Sequence, residues 1–130
     1  MDLKEKIEIE KTNPNRIYLY MDEEDGCCKA YEFSAYLITK IISSLELKEE
    51  PSMEIKDFLY TIKVMPQLIT SRFSGFGIEQ SEGCMQVPLY DLIYTAKWRK
   101  EFDILKEQQR KEHSRLGDFV LGVSRLRNEL

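Results

Sequence analysis

Apolar and charged residues alternate through Lys6–Glu10, "KIEIE", and a two-residue period predicts a half-buried strand. Ile17–Met21, "IYLYM", predicts a second, because branched and aromatic side chains fit a pleated surface. Between them Asn13-Pro14-Asn15 is turn chemistry, since proline presets its own φ and asparagine tolerates left-handed backbone. Residues 6–21 are therefore expected to form a hairpin or two adjacent strands. In "MDEEDGCCKAYEF", Asp25-Gly26 is a further hairpin signal. It makes the acidic run Asp22–Asp25 a loop tip and returns "CCKAYEF" as a strand.

Ser34 is placed to act as N-cap of a helix whose stripe is Leu37, Ile38, Ile41, Ile42 and Leu45. Charge and Pro51 then mark "ELKEEPS" as a loop. Phe58–Met65, "FLYTIKVM", carries apolar residues on both alternating faces and predicts a central strand covered on both sides. Pro66 suits a first helical position, so "PQLITSRF" predicts about two turns before Ser74-Gly75-Phe76-Gly77 breaks them. Glu82-Gly83 centres another hairpin. Asp91 caps a long last helix from Leu92, with Ile93, Ala96, Phe102 and Leu105 on its apolar positions until the stripe gives out near Glu107. Gly117 is expected to interrupt it, leaving Phe119, Val120, Val123 and Leu126 as a short amphipathic piece.

These elements make an α+β fold: a single compact domain with a mixed or antiparallel sheet of five or six strands, packed by two main helices, and a helical carboxyl-terminal tail. The domain is expected over residues 1–106 and the polar, then amphipathic, tail over 107–130. A chain of 130 residues buries roughly two thirds of its unfolded surface, enough for one core. The charged amino terminus and the lack of a long apolar run predict neither a secretory signal nor a membrane span, and a cytoplasmic location. Three cysteines, two of them adjacent, do not make a disulfide framework.

Charge is unevenly spread. Residues 1–60 hold eight Lys/Arg against fourteen Asp/Glu, a net of −6, and residues 61–130 hold eleven against nine, a net of +2. The total of −4 repels a phosphate backbone unless the positive charge gathers on one face, so nucleic acid is a disfavoured partner.

No candidate constellation carries a reaction. Neighbouring Cys27 and Cys28 on a strand point to opposite faces, and the acidic loop lacks the spacing of a calcium site. No metal or cofactor is expected. Cys84 has only His113 as a possible base, on a segment without an apolar stripe that is expected to face solvent. Glu32 is the one carboxylate inside an aromatic run, where burial would raise its pKa. Its simpler reading is a strand residue facing solvent or pairing with Lys29 or Lys40. Neither phosphate-loop spacing, G-x-x-x-x-G-K-[ST] or G-x-G-x-x-G, occurs in "SRFSGFGIEQ".

Two surfaces remain. Tyr18 and Tyr20, extended by Tyr31 and Phe33, form an aromatic strand face that is either covered by a helix or exposed for recognition. Lys97, Arg99, Lys100, Lys106, Arg110, Lys111 and Arg115 make the last helix basic, with Glu101, Asp103, Glu107 and Glu112 partly matching them. It is either a solvated, salt-bridged helix or an arm for an acidic partner. The function expected is a non-enzymatic interaction module acting through Tyr18, Tyr20, Tyr31 and the basic helix, with self-association through residues 116–126 as a further possibility. Nucleic-acid binding is the alternative, and a small enzyme using Cys84 or Glu32 is third.

"IYLY…CCKAYEFSAYL", the later "TIKVMP" and "MQVPLYD" resemble a group of short bacterial accessory-gene proteins that share an aromatic "YRAYEWSAWL"-type segment. The likeness spans roughly residues 17–92 and implies a hairpin feeding a helix, with no activity attached. More distantly, the same segment resembles the amino-terminal mismatch-binding domain of MutS proteins, where a hairpin ending in "GDFYEAF" leads into a helix. There the phenylalanine stacks on a mispaired base and the glutamate hydrogen-bonds it. Setting Ala30-Tyr31 on the family's "AF" places Cys27 and Lys29 at those two positions. The resemblance thus implies a similar layout and no mismatch recognition.

Overall fold

A computed structural model describes the backbone of residues 1–129 and the side chains of residues 1–113. The elements run α1 (Leu3–Thr12), β1 (Arg16–Met21), β2 (Cys28–Tyr31), α2 (Glu32–Ile41), β3 (Lys48–Ser52), β4 (Asp57–Val64), α3 (Pro66–Arg72), β5 (Glu79–Ser81), β6 (Cys84–Pro88) and α4 (Leu92–Glu129). The strands form one six-stranded sheet in the order β3-β4-β2-β1-β6-β5, every pair antiparallel. Three successive hairpins build it: β1–β2 is central, and β4 and β6 flank it. The result is the α+β single domain that the hydrophobic pattern predicts.

The amino terminus departs from expectation. "KIEIE" lies in helix α1, not in a strand, so residues 6–21 are a helix followed by one strand. Asp2 accepts a hydrogen bond from the Glu5 amide at 2.9 Å and caps the first turn. Ile7 and Glu10, three apart, then share the buried face. Glutamate and lysine favour helix over strand, and one buried isoleucine suffices to orient a helix where strand pairing would need every second residue inside.

Alternation along β1, β2, β4 and β6 separates two sheet faces. Ile17, Leu19, Cys28, Ala30, Tyr60, Ile62, Val64, Met85 and Val87 point to the first, where α2 and α3 add Phe33, Leu37, Ile38, Ile69 and Phe73 to one core. Helix α1 lies on the second face, with Lys6 Nζ 4.6 Å from the Tyr20 ring centre. Leu59 and Thr61 are buried on that side too, so β4 is covered on both faces as expected.

Three further expectations are corrected. "KEEPS" is edge strand β3, not a loop; its side chains are exposed or half-buried, which hides it from an apolar-period reading, and an edge is where a strand tolerates Pro51. Helix α2 begins at Glu32 with Tyr31 as its uncapped N-cap, so Ser34 sits inside the first turn. Phe33 is wholly buried in that helix and extends no strand face. Helix α4 continues through Gly117 to Glu129, because a glycine costs a helix only about 1 kcal/mol. The expected apolar piece Phe119, Val120, Val123 and Leu126, with Arg115, lies outside the residues whose side chains are described. Among the described residues no helix is long and apolar enough to cross a membrane.

The acidic loop is a turn. Asp22 and Asp25 accept from the amides of Glu24 and Cys27, each at 2.9 Å, and Gly26 supplies φ +70°. Asp25 also pairs with Lys63, which holds its carboxyl below the usual range.

Candidate functional site

Helix α4 presents Thr95, Arg99, Phe102, Lys106, Gln109 and His113 to the rest of the molecule, at alternating spacings of four and three. Phe102 is the fully buried large apolar residue, with half-buried Trp98 and Leu105 packed against the core beside it; the Phe102 ring packs against Phe33, Tyr36 and Tyr60 at 5.5–6.0 Å. Arg99, Lys106 and His113 act as fasteners. Arg99 donates to the carbonyls of Glu10 (2.6 Å), Lys11 (2.8 Å) and Asn13 (3.2 Å), closing the carboxyl end of α1, where a helix leaves acceptors unpaired and favours a cation. Lys106 Nζ lies 2.7 Å from Glu32 Oε1 and donates to the Phe58 carbonyl at 2.5 Å. His113 stacks on Phe58 with ring centres 3.6 Å apart and meets Glu49 at 2.9 Å.

Glu32 therefore neither faces solvent nor pairs with Lys29 or Lys40, which bind Glu50 and Glu101 instead. Its side chain is 8% exposed, as is that of Lys106, and its other oxygen accepts from the Tyr60 amide at 3.1 Å. Burial pushes its pKa up against the pull of Lys106. The backbone holds φ +50°, a left-handed conformation that costs a non-glycine residue on the order of 1 kcal/mol.

Glu10 forms a second buried polar knot. Its oxygens accept from the Ser34 amide and hydroxyl, both at 2.7 Å, and from Asn13 Nδ2 at 3.3 Å. This carboxylate caps α2 from another helix, supplying what Ser34 was expected to supply itself. Burial raises its pKa from 4.5 to about 7, opposed by Ser34, Asn13 and the Arg99 charge. Ser34 Oγ also accepts from the Tyr18 amide at 2.9 Å. Ser34→Ala is expected to lower the unfolding free energy by about 1–3 kcal/mol, since it strands buried partners; an unchanged urea midpoint would show that the hydroxyl does not tie α1 to α2.

Between α1, the β3–β4 turn and α4 lies a cleft of about 830 Å³. Glu10, Glu32, Arg99 and Lys106 line its floor, already engaged with one another or with backbone. Arg110 shares Asp57 with Lys106 at 3.4 and 3.7 Å. Sequence reasoning finds Glu32 but not Glu10, Ser34 or Asn13, and their union joins segments far apart in the chain.

Of the aromatic strand residues Tyr20 is buried under α1, whereas Tyr18 and Tyr31 are half-buried. Of the basic helix, Arg99 and Lys106 face inward and Arg110 turns to Asp57, whereas Lys97, Lys100 and Lys111 face solvent. Cys84 and His113 stand apart, on β6 and beside β3, with three strands between β6 and β3. Half-buried His113 does not face open solvent as expected, and burial pushes the Cys84 thiol up, away from a reactive thiolate.

The outer side of α4 is the reverse of its inner side. Tyr90 just before it, then Leu92, Ile93 and Tyr94, are 74, 63, 83 and 56% exposed, and Ile104 is 61% exposed. Ile93, Lys97, Lys100 and Ile104 recur at spacings of four and three and form one stripe facing away from the domain.

The chain is thus an antiparallel-sheet α+β domain bearing a polar cleft and an apolar-and-basic helix face. No family model, curated protein or solved structure matches it.

Proposed function

We propose that the protein is a docking module rather than an enzyme, and that it engages a protein partner through the outer face of α4. The observation that supports this reading is the inversion of that helix. Arg99, Lys106 and His113 are turned inward as fasteners, while Ile93, Ile104 and the neighbouring Tyr90, Leu92 and Tyr94 stand in water. Five exposed large apolar residues on or just before one helix, interspersed with Lys97 and Lys100, suit an interaction surface, and full burial of one isoleucine is worth about 1.5–3 kcal/mol.

The stripe also selects its partner. Laid antiparallel on a second copy so that Ile93 meets Ile104, it would set Lys97 against Lys100 twice and bring four ammonium groups together. The complementary surface is a different protein, with carboxylates between two apolar contacts about 16 Å apart, the rise of eleven helical residues. Lys97, Lys100 and Lys111 on the same side would also suit a nucleic acid, but Ile93 and Ile104, which bracket Lys97 and Lys100, give a phosphate backbone nothing to hold.

A photoreactive benzoylphenylalanine replacing Tyr94 in cells tests this reading. One discrete adduct is expected, resistant to nuclease and lost in Lys97→Glu/Lys100→Glu. A nuclease-sensitive adduct would transfer the role to nucleic acid binding. A yield no higher than from the same group at Met53, which is 90% exposed on the β3–β4 turn, would end the docking reading.

A further inference from the structure

We propose that Met21, Cys28 and Met85 form a binding site for one monovalent copper ion at the end of the sheet beside α3, with the Cys28 thiolate and two thioethers as its ligands. The site shares no residue with the outer face of α4 and does not rest on the docking reading.

The chain gathers its sulfur in one place. Of three cysteines and five methionines, Cys27, Cys28, Cys84, Met21, Met65 and Met85 lie in or beside the same end of four neighbouring strands, β4, β2, β1 and β6. Strand alternation then sorts them by face. Met21 stands opposite Cys28, and Met85 stands opposite Leu19, two residues back along β1, so these three share the face covered by α2 and α3. Cys84, opposite Tyr20, points to the other face, and Cys27 contacts Met65 instead, at 3.7 Å. The Cys28 thiol meets the Met21 thioether at 3.1 Å. Met21 and Met85 both line a cavity of about 350 Å³ against Pro66, Gln67 and Thr70 of α3, which gives an ion its way in.

The donor set decides the ion. Thiolate and thioether sulfurs select monovalent copper, whereas structural zinc takes four ligands and calcium or magnesium takes oxygen. Among the described residues no three histidine, cysteine or carboxylate side chains gather to hold a metal, so an ion that accepts thioethers is the one that finds three donors. Trigonal ligand sulfurs with metal bonds of about 2.3 Å stand about 4 Å apart, so binding asks Met21 to draw back from Cys28 by about 1 Å. Its side chain is 40% exposed and unbranched, free to make that movement. Burial pushes the Cys28 thiol up, so its proton stays until copper displaces it: the S–H bond breaks, a copper–sulfur bond forms and the proton leaves to water. No electron is transferred.

The test titrates the full chain with Cu(I), held by a competing chromogenic chelator without oxygen, and follows the methionine methyl groups by NMR, with Zn(II) as the control ion. One ion per chain, about one proton released, and shifts at Met21 and Met85 but not at Met1 or Met53 are expected. Met21→Leu/Met85→Leu keeps the apolar volume and is expected to fold as the parent does and to bind Cu(I) at least about tenfold more weakly, the least that disturbing a metal's surroundings costs. Should that variant unfold, Met21→Leu alone, at an exposed position, carries the same expectation. Cys27→Ser and Cys84→Ser are expected to bind as the parent does. Shifts at Met65 in place of Met21, which would seat the ion on Cys27, equal binding of Zn(II), or a Met21→Leu variant with the parent's affinity would each overturn the proposal.

Discussion

Lys106→Met is expected to lower the unfolding free energy by about 3–5 kcal/mol, because it leaves the Glu32 carboxylate buried without its cation. Among the described residues the ammonium is the only basic group within ion-pair reach of Glu32, at 2.7 Å, and it also occupies the Phe58 carbonyl and Asp57. Removing it asks a carboxylate already raised by burial to stay ionised in a less polar place or to take up a proton. Glu32→Gln/Lys106→Met removes both charges while the amide oxygen can still accept from the Tyr60 amide. The double variant is expected to recover most of the loss, since a buried pair often contributes little beyond what its neutral replacement does. Urea unfolding at pH 7 with an unchanged m-value is the measurement. A single-variant loss under about 1 kcal/mol, or a double variant no better than the single, would mean that this pair does not fasten α4 to the domain.

The second large effect is a pH dependence set by Glu10. Its pKa stands at about 7 in the folded chain against 4.5 unfolded, so between those values the native state binds the extra proton. Stability from this group is full below about pH 4.5, declines as pH rises, and is gone above about 7. At about 1.4 kcal/mol per pH unit the change is about 3 kcal/mol. Glu32, also raised, works in the same direction, whereas Asp25 and Glu101, held low by Lys63 and Tyr36 respectively, lose stability only at more acid pH. The groups facing Glu10 are Ser34 of α2, Asn13 of the following loop and Arg99 of α4. Glu10→Gln keeps an acceptor for the Ser34 amide and carries no charge, so its stability is expected to be flatter across this window and no lower than the parent's at pH 8. A parent whose stability rises from pH 5 to 8, or a variant with the same slope, would contradict the buried carboxylate.

What the sequence reveals and hides follows from how each element is buried. β1, β4 and α2 are legible because their apolar residues keep a two- or four-residue rhythm over a covered face, and the β5–β6 hairpin because Glu82-Gly83 is turn chemistry, its strand β5 being exposed throughout. α1 is misread because one buried isoleucine and one buried glutamate leave an alternation that imitates a strand. β3 is missed because its side chains reach solvent and only its backbone belongs to the sheet. α4 is the instructive case: its buried spacing of four and three is present throughout, but in Thr95, Arg99, Lys106, Gln109 and His113, which a search for apolar periods discards. The same charges then look like a solvated basic arm, when two of them are anchors. Glu32 stands out in the sequence by its aromatic neighbours, whereas the Glu10 knot needs residues 10, 13, 34 and 99 to meet, which no local pattern announces.

The most direct measurement is the pair of readings from Ile93→Glu/Ile104→Glu: its unfolding free energy, and the adduct formed from benzoylphenylalanine at Tyr94. Stability within about 0.5 kcal/mol of the parent, as for exposed positions generally, together with loss of the adduct, is the expected result. Persistence of the adduct, or a loss of several kcal/mol showing that these isoleucines are packed, would contradict a helix that turns its apolar face outward to a partner.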